Sequence, residues 1–170
     1  MTEAILDAGP LIHLAELAAL DVLSDLEILR VPPAVWEEVA SHQPKALEFP
    51  GLPLQQVAAP VPSAALQTLA QALALDRGEV EALSLLEMYP HAWFLTDDAA
   101  ARLVAEQRGY EAHGTIGLLI RSVRQGQRSA HEVLKLLRSL PQKSTLHVRS
   151  ALLEAIIQQL EGEWLRGLGP

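Results

Sequence analysis

Five carboxylates in this chain are spaced so that they could do chemistry together. Asp7 follows the apolar run Ala4-Ile5-Leu6, and Glu38 follows Val35-Trp36-Glu37. Glu79 follows Asp76-Arg77-Gly78, and Asp97-Asp98 close the run Ala92-Trp93-Phe94-Leu95-Thr96. Gathered in one crevice, such acids repel one another, and their pKa values rise unless a cation joins them. Hard divalent cations take oxygen ligands, and Mg²⁺ binds one or two carboxylates directly while keeping several waters. An acidic crevice of this kind implies Mg²⁺ or Mn²⁺ and phosphate chemistry. Each acid also has a plainer reading. Asp7 could cap the next helix, Glu79 and Asp98 could serve a helix dipole, and Glu37 and Glu38 could be surface charges.

The elements that must position these acids alternate along the chain. Ile5-Leu6 reads as a buried strand, Gly9-Pro10 as a turn, and Leu11, Leu14, Leu17 and Ala18 return at helical spacing. Residues 27–31 read as a second strand, stopped by Pro32-Pro33. Pro33 suits the first turn of a helix over 34–39. Residues 41–53 read as loop, and 54–57 as a weak third strand closed by Pro60 and Pro62. Ser63 caps a helix running to Leu75. Asp76 and Gly78 make a turn, and Glu79 opens a helix ended by Tyr89-Pro90-His91. Residues 92–96 form a strong buried strand, 99–108 a helix, 110–113 a short last strand and 116–124 another helix. This alternation implies an α/β fold with a parallel sheet covered by helices on both faces. In the order 3-2-1-4-5, the first and fourth strands are neighbours at the switch point, and Asp7 and Asp97 face one crevice.

Residues 127–170 read differently from residues 1–126. Two amphipathic helices, over 129–140 and 146–165, are joined at Pro141. The second carries the stripe Leu153, Ile156, Ile157 and Leu160, and Gly162, Gly167 and Gly169 mark a frayed end. This C-terminal helical extension packs either on its own domain or on a partner. With 49% hydrophobic residues overall, the stripe points to a homodimer.

Composition sets outer limits. The 170 residues suit one compact domain with a helical appendage. Without cysteine there is no disulfide framework or thiolate metal site. The start Met1-Thr2-Glu3 lacks a basic leader, and charges such as Glu16 and Asp21 break the apolar runs. The expectation is a cytoplasmic protein with no membrane span. A net charge of −8 argues against a general nucleic-acid binder. Its distribution is uneven, since residues 99–153 hold nine bases against three acids. Such asymmetry suits an acidic pocket with a separate basic surface, although solvated helix faces give the same count. No phosphate-binding Gly-Lys-Ser/Thr loop occurs, and no His pair has metal-binding spacing, so His13 is given no role.

Taken in order, Ile5-Leu6-Asp7-Ala8-Gly9-Pro10-Leu11-Ile12, 31–39, Asp76-Arg77-Gly78-Glu79-Val80-Glu81-Ala82 and Leu95-Thr96-Asp97-Asp98-Ala99-Ala100-Ala101-Arg102 resemble the PIN domain. Within it, they are similar to the branch related to toxins of type II toxin–antitoxin systems, which Gly114-Thr115-Ile116-Gly117-Leu118-Leu119 also fits. The resemblance spans residues 4–126. It implies a three-layer α/β/α fold and a metal-dependent endoribonuclease. Asp7, Glu38, Glu79 and Asp97 would carry catalysis and hold Mg²⁺ or Mn²⁺, with Asp98 a further ligand or a helix cap. Thr96 could hold a metal-bound water. Arg102, Arg121, Arg124 and Arg128 could guide single-stranded or structured RNA, and a small antitoxin protein would be the partner. The competing reading keeps the fold without cleavage, as a module that binds protein or nucleic acid.

Overall fold

The protein is described here from a computed structural model, which covers residues 2–166. Its centre is a parallel sheet of five strands in the order β3-β2-β1-β4-β5. The strands are β1 (Glu3–Leu6), β2 (Ile28–Val31), β3 (Leu54–Gln56), β4 (Trp93–Leu95) and β5 (Ala112–His113). Their alternation decides which side chain faces which layer. Ala4 and Leu6 join one apolar cluster while Ile5 joins the other, and Leu95 and Phe94 divide in the same way.

The first layer holds α1 (Ala8–Glu16), α2 (Pro33–His42), the short α3 (Pro44–Leu47) and α7 (Thr115–Arg124). The second holds α4 (Ala64–Leu73), α5 (Arg77–Met88) and α6 (Ala99–Gln107). The result is the three-layer α/β/α arrangement expected of the PIN-like fold. Leucines such as Leu11, Leu29, Leu86 and Leu95 are fully buried, and each such side chain contributes about 1.5–3 kcal/mol.

Four local expectations need correction. α1 starts at Ala8, directly after Asp7, and contains Gly9-Pro10 instead of following them. Pro10 fits there because a helix's first turn needs no amide donor. α5 starts at Arg77, two residues before Glu79, because Asp76 is its cap. The stretch read as loop over 41–53 contains α3, opened by Pro44. Pro141 lies inside a helix instead of separating two.

That helix is α8 (Ala130–Lys143), and residues 144–149 link it to α9 (Ser150–Leu165). Val133, Leu134, Leu137 and Leu140 of α8, with Leu153 and Leu160 of α9, belong to the same cluster as Leu6 and Leu118. Ile156 and Ile157 pack against it, half-buried. The stripe that pointed to a homodimer is thus covered by its own chain. Gly162 lies within α9, while Gly167 and Gly169 fall outside the described residues. Among the described residues, no helix is long and apolar enough to cross a membrane.

Candidate active site

The site begins where β1 and β4 end side by side. Leu6 pairs with Leu95, so Asp7 and Thr96 leave the sheet together. Asp7 is 7% exposed. Its Oδ1 accepts from the Ala8 amide at 2.8 Å, and its Oδ2 accepts from the Thr96 hydroxyl at 2.8 Å. Asp7 therefore caps α1 and faces a cleft at once. The Thr96 hydroxyl also accepts from the Asp98 amide at 3.1 Å, and Thr96 is fully buried. It orients Asp7 and has no face for the water expected there.

Opposite Asp7, α2 and α5 bring three more acids. Asp76 Oδ1 accepts from the Glu79 amide, and Glu79 Oε2 accepts from the Asp76 amide, both at 2.8 Å. This reciprocal cap holds both carboxylates at the start of α5. Glu38 extends from α2 beside Gly78. A Cβ at Gly78 would lie 3.2 Å from Val35 Cγ2 and 3.9 Å from Glu38 Oε2, so the glycine lets the two helices close on each other.

The doublet Asp97-Asp98 divides its work. Asp98 Oδ1 accepts from the Ala101 amide at 2.8 Å and caps α6. Asp97 accepts from the Thr115 amide at 2.7 Å, the Thr115 hydroxyl at 2.6 Å and His13 Nδ1 at 2.7 Å. A Cβ at Gly114 would come within 2.8 Å of both Asp97 Oδ1 and Arg102 Nη2, so a side chain at the β5–α7 junction would push these groups from their places. His13 arrives because Gly9 and His13, four residues apart, share one face of α1. That geometry could be read only once the helix was known to start at Ala8.

Asp7, Glu38, Asp76, Glu79, Asp97 and Asp98 all line one cleft of about 540 Å³, with His13, His42 and residues 145–147. All five acids named from the sequence are in it. Asp76, which the sequence reads as a turn residue, joins them, and its spacing to Glu79 is that of a capping box. Burial raises Asp7 to about 6 against its hydrogen bonds, and Asp76 and Glu38 push it the same way. Burial raises Glu79 to about 7, with Asp76, Asp98 and Asp7 adding to the rise. Burial and Asp76 raise Glu38 as well. Asp97 behaves differently. Burial would raise it, but the bonds from His13 and Thr115 hold it below the ordinary range.

The basic residues are more scattered. Arg102 donates to the carbonyls of Thr96 and Ala112, both at 3.1 Å, just behind Asp97. Arg121 and Arg128, expected to guide nucleic acid, are instead paired with Asp25 and Asp21. The reason is direction. α7 starts at the acidic edge and runs away from it, so its last turn lies about 9–14 Å along the axis. Arg124 is exposed on that same turn.

The donor set suits a hard divalent cation. It consists of oxygens, it carries excess negative charge, and Glu79 and Asp98 each keep one carboxylate oxygen clear of their capping bonds, while Asp7 Oδ2 takes a bond only from the Thr96 hydroxyl. Among the described residues, no group of three His, Asp or Glu side chains is already drawn together around one point.

Among curated proteins and among solved structures, nothing matches the chain at a significant level. A family model does match it, over residues 3–162, and is that of the PIN domain. PIN domains are generally nucleases and typically use divalent metals, which fits an acidic cleft at a parallel sheet's edge. The match takes in both tail helices almost to their end, and the chain belongs to the PIN domain family.

Proposed function

We propose that this chain is a metal-dependent endoribonuclease that hydrolyses phosphodiester bonds. The observation that carries the reading is the pair Asp7 and Glu79, raised to about 6 and about 7 in a cleft lined by further acids and by no lysine or arginine among the described residues. Mg²⁺ or Mn²⁺ would be held by Asp7, Glu38, Glu79 and Asp98. Bound there, the ion would supply a Lewis acid for the phosphate and lower the pKa of the attacking water. The protein's part is to set the carboxylates. Thr96 and Ala8 fix Asp7, Asp76 fixes Glu79, and Ala101 fixes Asp98. Asp97 is given to the frame, holding His13 and the start of α7.

The test is cleavage of single-stranded RNA with Mg²⁺ or Mn²⁺, with a chelator, and with Asp7→Asn. The expected result is metal-dependent cleavage that the chelator and the substitution both remove. Metal-independent cleavage, or no cleavage of any RNA, would overturn the reading in favour of a binding module. The finer biological setting, a toxin with a small antitoxin protein, is checked by looking for a small antitoxin-like reading frame beside the gene.

A further inference from the structure

Next to the acidic cleft lies a second concavity of about 700 Å³. The two share Asp97, Leu146 and His147, so they open into one another. Their chemistry changes at that border. The groove's one carboxylate is Asp97, already engaged by His13 and Thr115. Its cations are Arg102 and Arg149. Two carbonyls hold the Arg102 guanidinium in place. Arg149 is exposed, and among the described residues no carboxylate pairs with it. Ile116, Val148 and Leu152 supply apolar surface, and Leu152 is 55% exposed.

A fixed cation, an unpaired cation and an apolar floor match what a nucleic-acid strand presents. Phosphates seek guanidinium groups, while base and ribose faces seek apolar side chains. We propose that this groove carries the stretch of RNA adjoining the scissile phosphate, with Arg102 and Arg149 at its phosphates and Leu152 beneath a base or ribose. The α8–α9 linker, which supplies Leu146, His147, Val148 and Arg149, is then part of the substrate site. Glu16 ties it down, accepting from the Thr145 amide at 2.5 Å and the Thr145 hydroxyl at 2.6 Å. The proposal rests on the nuclease reading above. It also accounts for how a chain of net charge −8 draws a polyanion to an acidic cleft: the attraction is local and adjacent.

The experiment is fluorescence anisotropy of a short labelled single-stranded RNA, in EDTA to prevent hydrolysis, over a series of KCl concentrations. Arg149→Ala is expected to weaken binding about threefold to tenfold and to reduce the slope of log affinity against log salt by about 0.7. Arg149→Lys should keep most of that slope. Leu152→Glu should weaken binding too. Lys135→Ala, which removes an exposed charge from α8 outside both concavities, should change neither affinity nor slope.

Parent affinity and slope in Arg149→Ala would overturn the groove. So would absence of RNA binding by the parent protein, or displacement of RNA by polyglutamate as readily as by unlabelled RNA, which would make this a surface for an acidic protein. The two readings fail separately. Arg149-dependent binding without metal-dependent cleavage overturns the nuclease and leaves the groove. Metal-dependent cleavage with Arg149-independent binding overturns only the groove.

Discussion

The two edges of the sheet treat the same residue type in opposite ways. At the edge where the strands begin, Asp21 is paired with Arg128, and Asp25 with Arg121 and Gln127. The Arg121 bond holds Asp25 below the ordinary carboxylate range. At the edge where the strands end, Asp7 and Glu79 rise to about 6 and about 7 with no arginine or lysine in their cleft among the described residues. The chain carries 13 lysines and arginines, so bases were available. They neutralise one edge and leave the other charged. A cluster left in that state destabilises the folded protein unless something from outside joins it. The first edge is neutralised within the fold, and the second keeps the charge that the proposed cation would neutralise.

The strongest way to break this contrast is to neutralise one acid at each edge. Changing residues beside metal ligands costs about tenfold to a hundredfold in activity, so losing a ligand should cost on the order of a hundredfold or more. Asp7→Asn should show that loss in an RNA cleavage assay. Asp25→Asn should cleave like the parent and lose at most about 1 kcal/mol of stability, as a partly exposed pair does. Without metal above pH 7, Asp7→Asn should melt above the parent, because it removes a buried charge and, to a lesser degree, its repulsion from Asp76 and Glu38. Its Mn²⁺-induced rise in Tm should be smaller than the parent's. Equal Mn²⁺ shifts in the two proteins would take Asp7 out of the cation site.

The contrast also sets the sign of the pH dependence. Folded Asp7 and Glu79 keep their protons to higher pH than their unfolded counterparts do. Between about pH 4 and about pH 7 the folded state binds more protons, so metal-free stability falls as pH rises. The rise at Asp7 from 3.8 to about 6 corresponds to about 3 kcal/mol. Urea melts at pH 5 and pH 8 read about half of it, the part lost above pH 5, together with the contribution of Glu79. The gain from Mn²⁺ should be large at pH 8 and small at pH 5, where protons compete. A metal-free protein more stable at pH 8 than at pH 5 would show that the cluster is not repulsive.

Asp97 sharpens the comparison because it lies at the charged edge yet behaves like the neutralised one. His13 and Thr115 hold it below the ordinary range despite burial. Asp97→Asn cannot accept from all three donors equally well, so it should destabilise the metal-free protein by about 2 kcal/mol. The expected effect is opposite in sign to that of Asp7→Asn. Melts of the two variants side by side decide it. A stabilised Asp97→Asn would return Asp97 to the repelling set and reopen its use as a ligand.

What could be read from the sequence divides along similar physical lines. The strand order and the arrival of Asp7 and Asp97 at one edge follow from short apolar runs and crossover helices, which obey local and topological rules. Asp76 was passed over because a turn and a cap share the same residue types, and only the helix start separates them. His13 depended on that same kind of one-turn offset. Arg121 and Arg128 looked free because Asp25 and Asp21 lie about a hundred residues away in sequence. The linker's place in the cleft was hidden by Pro141, which reads as a break yet sits inside α8. Local helix starts decided the first two, and the Asp76–Glu79 spacing carries that signal; packing between distant segments decided the arginines and the linker, and residue spacing does not encode it.

The smallest effect concerns a carboxylate treated in a third way. Glu16 is matched neither by an arginine nor by a free cation, but by two donors from Thr145 of the linker. Both partners are near the surface, and one neutral-donor bond there is worth about 0.5–1 kcal/mol. Thr145→Val removes the hydroxyl and keeps the amide, so Tm should fall only slightly. The linker should respond more than the fold does, since few buried groups hold it. Hydrogen exchange of the amides at 145–149 should speed up, while those of β1 and β4 stay protected, because the core strands open only with the whole domain. Leu146 and Val148 also pack against the core, which gives the alternative cause. Unchanged exchange at 145–149 would mean that this packing alone seats the linker and that the Glu16 tie is incidental. Faster exchange, together with weaker RNA binding by the same variant, would make Glu16 the anchor that keeps Arg149 beside the cleft.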